Sequence, residues 1–322
     1  MVFNIRFNKK GELDSILDDY NKYEQYKDLY KEKINELLIK FIEYSEERSR
    51  EIIKKVKEKF NEDKHIQILY SNDESNKLNI IYKDDRVIIV INNPIKYLDN
   101  IKNYKNGKIE NITYEPLEWT ISRRFIEYIV NEKFPYTRNI KIYKRDLIDD
   151  LLFLNNLLSE AITAIFYYNT YKNGKMEEYN IKISQLPKIY LNNLNSLILN
   201  HSKNIIEAYN SSKNIRNLPV DKILELKRQK DEYVNILNKM IYYKSLIFGN
   251  IFGKLLYEEY GKNSIEEIKK INSVDEFNRY TNDLFNDVNN EDKEEDLEYI
   301  NETKKFKVAD YYEVITNIWR LF

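Results

Sequence analysis

Apolar side chains recur at alternating intervals of three and four residues along the first part of the chain. The pattern is interrupted at Lys27, and no Gly or Pro falls within residues 12–60. Such spacing is typical of a helix that packs along a narrow seam. The polar stretch SEERSRE (45–51) shifts the register, so the pattern predicts one long helix or two helices joined near Ser45. An intramolecular helical hairpin and a parallel coiled-coil dimer both fit, and the hairpin is favoured. The stripe consists of Leu13, Ile16, Tyr20, Tyr23, Tyr30, Ile34, Leu37, Phe41 and Tyr44.

The period then changes to that of β-strands. The short runs HIQILY (65–70), KLNIIY (77–82) and RVIIVI (86–91) are β-branched and bounded by turn residues, which predicts three strands. The last run is apolar on both faces, as expected of a covered central strand. Asn106-Gly107 is a hairpin-turn signal, so we expect one or two further strands in 103–114.

The chain after Pro116 is predicted to be almost wholly helical. An extended strand is expected at 136–144, and helices at about 146–171, 187–210, 219–260, 264–271 and 273–288. The apolar run 151–171 is broken by Asn, Ser, Thr and Glu, which favours a buried central helix over a membrane span. Gly249 and Gly253 are four residues apart, which predicts a close crossing of two helices.

These elements predict an α+β fold that is predominantly α-helical. It combines a long N-terminal helix or helical hairpin, a small antiparallel sheet of about three to five strands, and a large helical bundle. We expect a helical arm (1–60), a small β-subdomain (61–115), the bundle (116–288), an acidic linker (289–303) and a C-terminal docking helix (304–322).

Composition narrows the class of protein. With 42% apolar and 33% charged residues and a net charge of −1, the chain has a globular balance. The net charge gives no reason to expect a membrane or a nucleic acid, so such a partner must be argued from local patches. The frequent Ile, Asn, Lys and Tyr all have AT-rich codons, which indicates an AT-rich genome. The first residues lack the apolar stretch of a secretory signal, so a cytoplasmic protein is expected.

The sequence holds no catalytic motif. It has no cysteine and two histidines, which excludes disulfides, thiolate metal sites and cysteine nucleophiles. No phosphate-binding loop and no G-x-S-x-G motif is present. Asp146, Asp149 and Asp150 share one helical face and suit Mg²⁺, but they equally suit the first turn of a helix. We therefore expect no catalytic residue, cofactor or metal, and a protein that is not an enzyme.

One segment is locally basic. Between Thr120 and Arg145 the chain has seven basic and two acidic residues, and Tyr136 and Tyr143 interleave with the basic residues. Arginine is suited to bidentate phosphate contact, so this segment is a candidate nucleic-acid-binding site; a solvated face, or docking against the acidic segment 283–302, is the alternative. The basic residues are Arg123, Arg124, Lys133, Arg138, Lys141, Lys144 and Arg145.

The chain closes on an amphipathic stripe with helical spacing. Its polar side is mixed in charge, which disfavours a lipid surface, so we expect it to dock on the body of the protein or on a partner. The closing stretch ADYYEVITNIWRLF (309–322) resembles the stretch that precedes the nuclease core in proteins related to the McrC restriction subunit, through Tyr312, Glu313 and Trp319. The stripe consists of Val308, Tyr311, Tyr312, Ile315, Ile318, Trp319 and Phe322.

Two functions follow as expectations. The first is a non-enzymatic intracellular interaction or scaffold protein, associated with nucleic acid through 123–145. The sequence allows a protein partner, a homo-oligomer or a nucleic acid, and no membrane. The second is implied by the resemblance: a regulatory or DNA-recognition part of a restriction or defence nuclease assembly whose catalytic core lies on another chain.

Overall fold

The computed structural model describes residues 11–26, 28–71, 80–138, 140–142, 152–213, 218–286, 294–305 and 307. The chain divides into two compact units. Unit 1 comprises Met1–Tyr128 and Thr170–Ile183, and unit 2 comprises Ile129–Asn169 and Ser184–Phe322. The predicted class is confirmed, since the fold is α+β and predominantly helical.

Unit 1 begins with a helical hairpin made of α1 (Glu12–Tyr23) and α2 (Lys31–Phe60). The two helices contact each other, so the predicted hairpin is confirmed. The chain turns between the two helices, close to the point where Lys27 interrupts the apolar stripe of the sequence. It does not break at Ser45, which lies buried inside α2. The Ser45 hydroxyl donates to the carbonyl oxygen of Phe41 at 2.8 Å, so this polar side chain is satisfied within its own helix.

A three-stranded sheet follows, with β1 (His65–Ser71), β2 (Ile80–Tyr82) and β3 (Arg86–Asn92) in the order β1-β3-β2. The run Val87–Ile91 of β3 is buried throughout, as predicted for the central strand. The sheet is mixed, however, and not purely antiparallel. β2 pairs antiparallel with β3, whereas β1 pairs with β3 in parallel, with His65 opposite Arg86. A strand that is apolar on both faces is typical of parallel pairing, so the sequence carried a signal for this arrangement.

The rest of unit 1 is helical where further strands were expected. One or two strands were expected in 103–114. That stretch instead contains the end of α3 (Ile95–Lys105) and a 3₁₀ turn (Ile109–Asn111), and Gly107, with φ of +65°, lies between them. Asn106-Gly107 thus terminates a helix instead of closing a hairpin, since Gly adopts the left-handed conformation at either place. α4 (Leu117–Lys133) starts directly after Pro116, as predicted. The segment 170–183 adds a short antiparallel pair, β6 (Lys175–Met176) with β7 (Ile181–Lys182).

Unit 2 is built mainly from helices. Where a strand was expected at 136–144, the described residues form the end of a 3₁₀ turn (Pro135–Thr137) and β4 (Lys141–Ile142), which pairs with β5 (Leu152–Phe153). The helices are α5 (Leu154–Thr170), α6 (Leu186–Lys213), α7 (Val220–Tyr260), α8 (Ser264–Lys270), α9 (Val274–Asn286) and α10 (Glu294–Lys304). α7 contacts α6, α8, α9 and α10. The segment 289–303 was expected to be an acidic linker. It contains most of α10, whose Tyr299 and Ile300 are buried.

The centre of unit 2 matches the predicted pattern. α5 is buried along almost its whole length, as expected for the apolar run 151–171. A Cβ atom added at Gly253 would lie 2.5 Å from the carbonyl oxygen of Ala161, and one at Gly249 would meet the carbonyl oxygen of Leu157. The two glycines therefore allow the backbones of α5 and α7 to approach closely, which confirms the predicted crossing. Among the described residues, no helix is long and apolar enough to cross a membrane.

Candidate functional site

The first two arginines of the predicted basic site are engaged in ion pairs within unit 1. Arg123 is only 2% exposed, and its guanidinium donates to Glu115 Oε1 at 2.6 Å. Burial opposes ionisation of Glu115, but Arg123 outweighs it and lowers the pKa of this carboxyl. Arg124 lies 2.7 Å from the carboxylate of Glu127. Both side chains are largely covered, at 2% and 14% exposure, which disfavours contact with a phosphate.

The next basic residues lie in unit 2. Lys133 and Arg138 are exposed, and Lys141 is half-buried with its ammonium 5.4 Å from the centre of the Phe153 ring. The Arg138 guanidinium donates to the carbonyl oxygen of Asn131 at 2.7 Å and lies 3.5 Å from Glu132. The last two predicted residues, Lys144 and Arg145, lie outside the described residues. Every residue of the predicted C-terminal stripe does so too: Val308, Tyr311, Tyr312, Ile315, Ile318, Trp319 and Phe322.

A buried ionic cluster in unit 1 was not found from the sequence. Its centre is Glu118, at the start of α4, which is 1% exposed. The Tyr171 hydroxyl donates to Glu118 Oε1 at 2.9 Å. Arg48 of α2 donates to the Tyr171 hydroxyl at 2.8 Å, pairs with Glu178 at 3.0 Å and places its Nε 3.6 Å from Glu118 Oε2. Helices α2 and α4 and the segment 170–183 thus bring together residues that are far apart in the sequence.

The charges of this cluster do not balance. One guanidinium, that of Arg48, faces the two carboxylates of Glu118 and Glu178. Burial raises the pKa of Glu118 to about 7, and Arg48 and Tyr171 only partly offset that effect. Glu118 Oε2 and the Tyr44 hydroxyl are both buried without a hydrogen bond. A carboxyl of this kind holds or releases a proton near neutral pH, which makes the cluster a candidate functional site.

Nothing in the sequence singles out these residues. Glu118 follows Pro116 and has the ordinary appearance of an acidic residue in a first helical turn. Arg48 lies in the polar stretch SEERSRE, which gives no sign that one of its arginines is partly buried. Because the spacing to Tyr171 and Glu178 exceeds 50 residues, no local pattern connects them.

Unit 2 has a second buried polar cluster. Glu160 of α5 is fully buried and accepts hydrogen bonds from the Tyr190 hydroxyl of α6 and the Asn250 amide of α7, each at 3.0 Å. Lys254 of α7 pairs with the buried Asp296 of α10 at 2.8 Å. These contacts join four helices of the unit, which favours a structural role, and Asn250 Oδ1 is the one atom of the cluster that is buried without a hydrogen bond among the described contacts.

Exposed apolar side chains concentrate on two helical hairpins, α1 with α2 in unit 1 and α6 with α7 in unit 2. Eight of the ten most exposed large apolar residues among those described lie there. In unit 1, the rings of Tyr26 and Tyr30 are 6.5 Å apart beside Leu29, which is 80% exposed. We call Tyr26, Leu29 and Tyr30 the N-terminal patch; Ile39 is the fourth exposed residue of that hairpin.

The corresponding surface in unit 2 lies on the paired helices α6 and α7. Leu199 and Ile206 are seven residues apart and so lie on one face of α6, while Val220 and Leu224 lie on one face of the first turns of α7. Leu199 is 82% exposed. We call these four residues the α6–α7 surface. Apolar residues at helical spacing predict a buried face, so the sequence alone does not distinguish this surface from the core.

No protein-family model, curated protein or solved structure matches this chain. Among the described residues, no group of three or more His, Asp or Glu side chains is placed to hold a metal ion. The two hairpins and the ionic cluster around Glu118 are therefore the features of the described residues from which a function can be inferred.

Proposed function

We propose that this chain is a non-enzymatic intracellular interaction protein that contacts partner proteins through its two helical hairpins. The observation that carries the proposal is the concentration of exposed apolar side chains on the N-terminal patch and on the α6–α7 surface. Each compact unit has one such surface. A protein with one contact surface on each of two units is suited to hold two partners, which is the role of a scaffold.

The exposed side chains are of the kinds that stabilise protein interfaces. Burying a leucine that is almost fully exposed, such as Leu29 or Leu199, contributes about 1.5–3 kcal/mol. Tyrosines such as Tyr26 and Tyr30 are enriched among the residues that dominate binding energy. Surface apolar residues are unremarkable when scattered singly, but here they are grouped on two pairs of helices.

The charge around the α6–α7 surface favours a protein partner over a nucleic acid. Acidic and basic side chains alternate there, with exposed pairs such as Lys203–Glu207 and Arg228–Glu225. A surface that contacts a phosphate backbone needs an excess of basic groups, whereas the exposed charges described here form pairs of opposite sign. A partner helix that lays its own apolar face against Leu199 and Leu224 fits the geometry better.

The test is to crosslink the full chain in its own cells and to compare which proteins each variant captures. We expect Leu199→Ser with Leu224→Ser to lose the proteins that crosslink to α6–α7, while the control Asn200→Ser with Lys222→Ser retains them. Light scattering after size exclusion shows whether a second copy of the chain is one of the partners. An unchanged crosslinking pattern and an unchanged mass in the leucine variant would contradict the proposal.

Association with nucleic acid is a second candidate, narrowed to residues 133–145. Lys133 and Arg138 are exposed, whereas Arg123 is buried and Arg124 is largely covered. We expect Lys133→Ala with Arg138→Ala to weaken a gel shift with duplex or single-stranded DNA or RNA, and raised salt to weaken it further. Binding that is absent, or that is insensitive to both changes, excludes this candidate.

The resemblance of 309–322 supports a third candidate, in which the chain regulates a nuclease carried by another protein. It requires a nuclease among the captured partners, or in a neighbouring reading frame. It also predicts that deleting 308–322 abolishes that assembly. A truncated chain that still captures the nuclease would argue against it.

A further inference from the structure

The segment 170–183, which we call the docked segment, is held to unit 1 by a set of polar contacts in addition to the buried side chains of Met176, Tyr179, Ile181 and Ile183. Thr170 accepts a hydrogen bond from Lys55 of α2 at 3.0 Å. Tyr171 and Glu178 both bond to Arg48 of α2, and the Tyr171 hydroxyl bonds to Glu118 of α4. The ring of Tyr179 packs edge-on against Tyr104 of α3, with ring centres 5.5 Å apart. The docked segment consists of short elements only: 3₁₀ turns at Lys172–Gly174 and Glu177–Tyr179 and the two-residue strands β6 and β7.

Glu118 is where these contacts converge. Arg48, Tyr171 and Glu178 all belong to the cluster around it, and the last two are part of the docked segment. The charged and titratable groups that act on Glu118 are Arg48, Glu51 and Tyr44 of α2, and Tyr171, Glu178 and Tyr179 of the docked segment. Glu51 is itself paired with Lys55 at 2.9 Å. When Glu118 is ionised, Arg48 therefore faces two carboxylates, and one negative charge remains uncompensated in a largely buried site.

A proton on Glu118 removes this imbalance. Arg48 and Glu178 then form a neutral pair. A proton on Oε2 also supplies a donor at an oxygen that has no hydrogen bond in the structure, in a site where the buried hydroxyl of Tyr44 lacks a partner. Both effects stabilise the docked conformation relative to one in which the segment has left the site and Glu118 is hydrated.

We propose that a proton on Glu118 stabilises the docked segment, so that acidification tightens it and alkalinisation loosens it. The device is regulatory and distinct from the two interaction surfaces, and it does not depend on the proposed function.

The direction and the pH range follow from linkage. The pKa of Glu118 is raised, chiefly by burial, to about 7 while the segment is docked, and it returns toward the ordinary value of a glutamate, about 4.3, when the carboxyl is hydrated. The docked state therefore binds the extra proton between these values. Opening becomes more favourable as the pH rises through that range, and levels off above about pH 7.

The test is hydrogen exchange of the full chain between pH 5 and 8.5, corrected for the intrinsic pH dependence of exchange. In the wild type we expect protection of peptides from 174–183 to fall at least about tenfold between pH 5 and 7.5 and then to level off, because each pKa unit of coupling is a factor of ten. Peptides from β3 serve as the internal reference. Glu118→Gln should abolish the pH dependence, whereas Glu110→Gln, at an exposed carboxyl of the same unit, should leave it unchanged.

Two further variants keep the test decisive even if Glu118→Gln fails to fold. Glu178→Gln removes the carboxylate that opposes ionisation of Glu118, so protection should level off at a lower pH. Tyr171→Phe removes the hydrogen bond that favours ionisation, so protection should level off at a higher pH. A merely structural role would lower protection in both variants without moving the levelling point. Opposite shifts support the proposal; shifts in one direction, no shift, or a pH dependence that persists in Glu118→Gln would overturn it.

Discussion

Glu115, Glu118 and Glu160 are buried carboxyl groups that are stabilised in three different ways. Glu115 is paired with Arg123 and also accepts from the Thr120 hydroxyl at 3.1 Å. Glu160 accepts two hydrogen bonds from neutral donors. Glu118 accepts one hydrogen bond, and its Oε2 lies 3.6 Å from the Arg48 guanidinium, which also pairs with the carboxylate of Glu178. The same side chain is therefore a permanent charge at one position and a group close to its titration point at another.

The raised pKa of Glu118 predicts a specific dependence of stability on pH. Between about 4.5 and 7 the unfolded chain has lost this proton and the folded chain retains it, so the contribution of Glu118 to the free energy of unfolding falls as the pH rises. The fall is about 2–3 kcal/mol, at roughly 1.4 kcal/mol per pKa unit. In urea titrations, Glu118→Gln should therefore gain stability relative to the wild type from pH 5 to pH 8. A difference that is constant over this range would contradict the assignment.

The pair Arg123–Glu115 predicts the opposite behaviour. Because Arg123 lowers the pKa of Glu115, the stabilisation is present above the unfolded pKa of the carboxyl and is lost as the pH falls below it. Replacing Arg123 with Met leaves a buried carboxylate unpaired and should cost about 3–5 kcal/mol at pH 7. The neighbouring Arg124→Met should cost about 1 kcal/mol or less, since its pair with Glu127 is partly exposed. Equal losses in urea unfolding would show that Arg123 is not the buried partner.

At the scale of the elements, the crossing of α5 and α7 is the contact most sensitive to a single methyl group. Gly→Ala inside a helix ordinarily stabilises by up to about 1 kcal/mol. At Gly253 the added Cβ would lie 2.5 Å from the Ala161 carbonyl oxygen, and at Gly249 it would meet backbone as well. We expect each Gly→Ala variant to lose about 1–3 kcal/mol. The control is Asn238→Ala, at an exposed position of α7, which should be neutral or slightly stabilising in the same thermal unfolding assay.

The elements that the sequence predicts well are those with a strong local signal. The start of α4 after Pro116, the start of α7 after Pro219 and the burial of α5 follow from proline and from an apolar run. The elements that it predicts poorly depend on distant partners. β1 pairs directly with β3 in parallel, although β2 lies between them in the sequence. α10 is held by a contact between Asp296 and Lys254, which are 42 residues apart. No window of the sequence contains both members of such a pair.

The same distinction applies to the candidate sites of the molecule. The basic segment is visible in the sequence because its residues lie close together in the chain, but arginines of that one segment can differ strongly in exposure, as Arg123 and Arg138 do. The cluster around Glu118 combines residues of α2, α4 and the segment 170–183, and none of these three stretches has a sequence pattern that predicts it. The exposed residues of the hairpins were visible as apolar positions, yet only the packing of the helices shows that Leu29 and Leu199 remain on the surface.

At the scale of the whole molecule, two contact surfaces on two compact units predict independent binding. If the N-terminal patch and the α6–α7 surface recognise different partners, Leu29→Ser with Tyr30→Ser should remove one set of crosslinked proteins and Leu199→Ser with Leu224→Ser the other. The four-site variant should lose both sets, because it combines the changes made on the two units. The substituted side chains are largely exposed, so the thermal unfolding midpoint should change little in any variant. A single partner set that both double variants remove equally would mean that the two surfaces form one site, and a large fall in the unfolding midpoint would mean that these residues support the fold instead of binding.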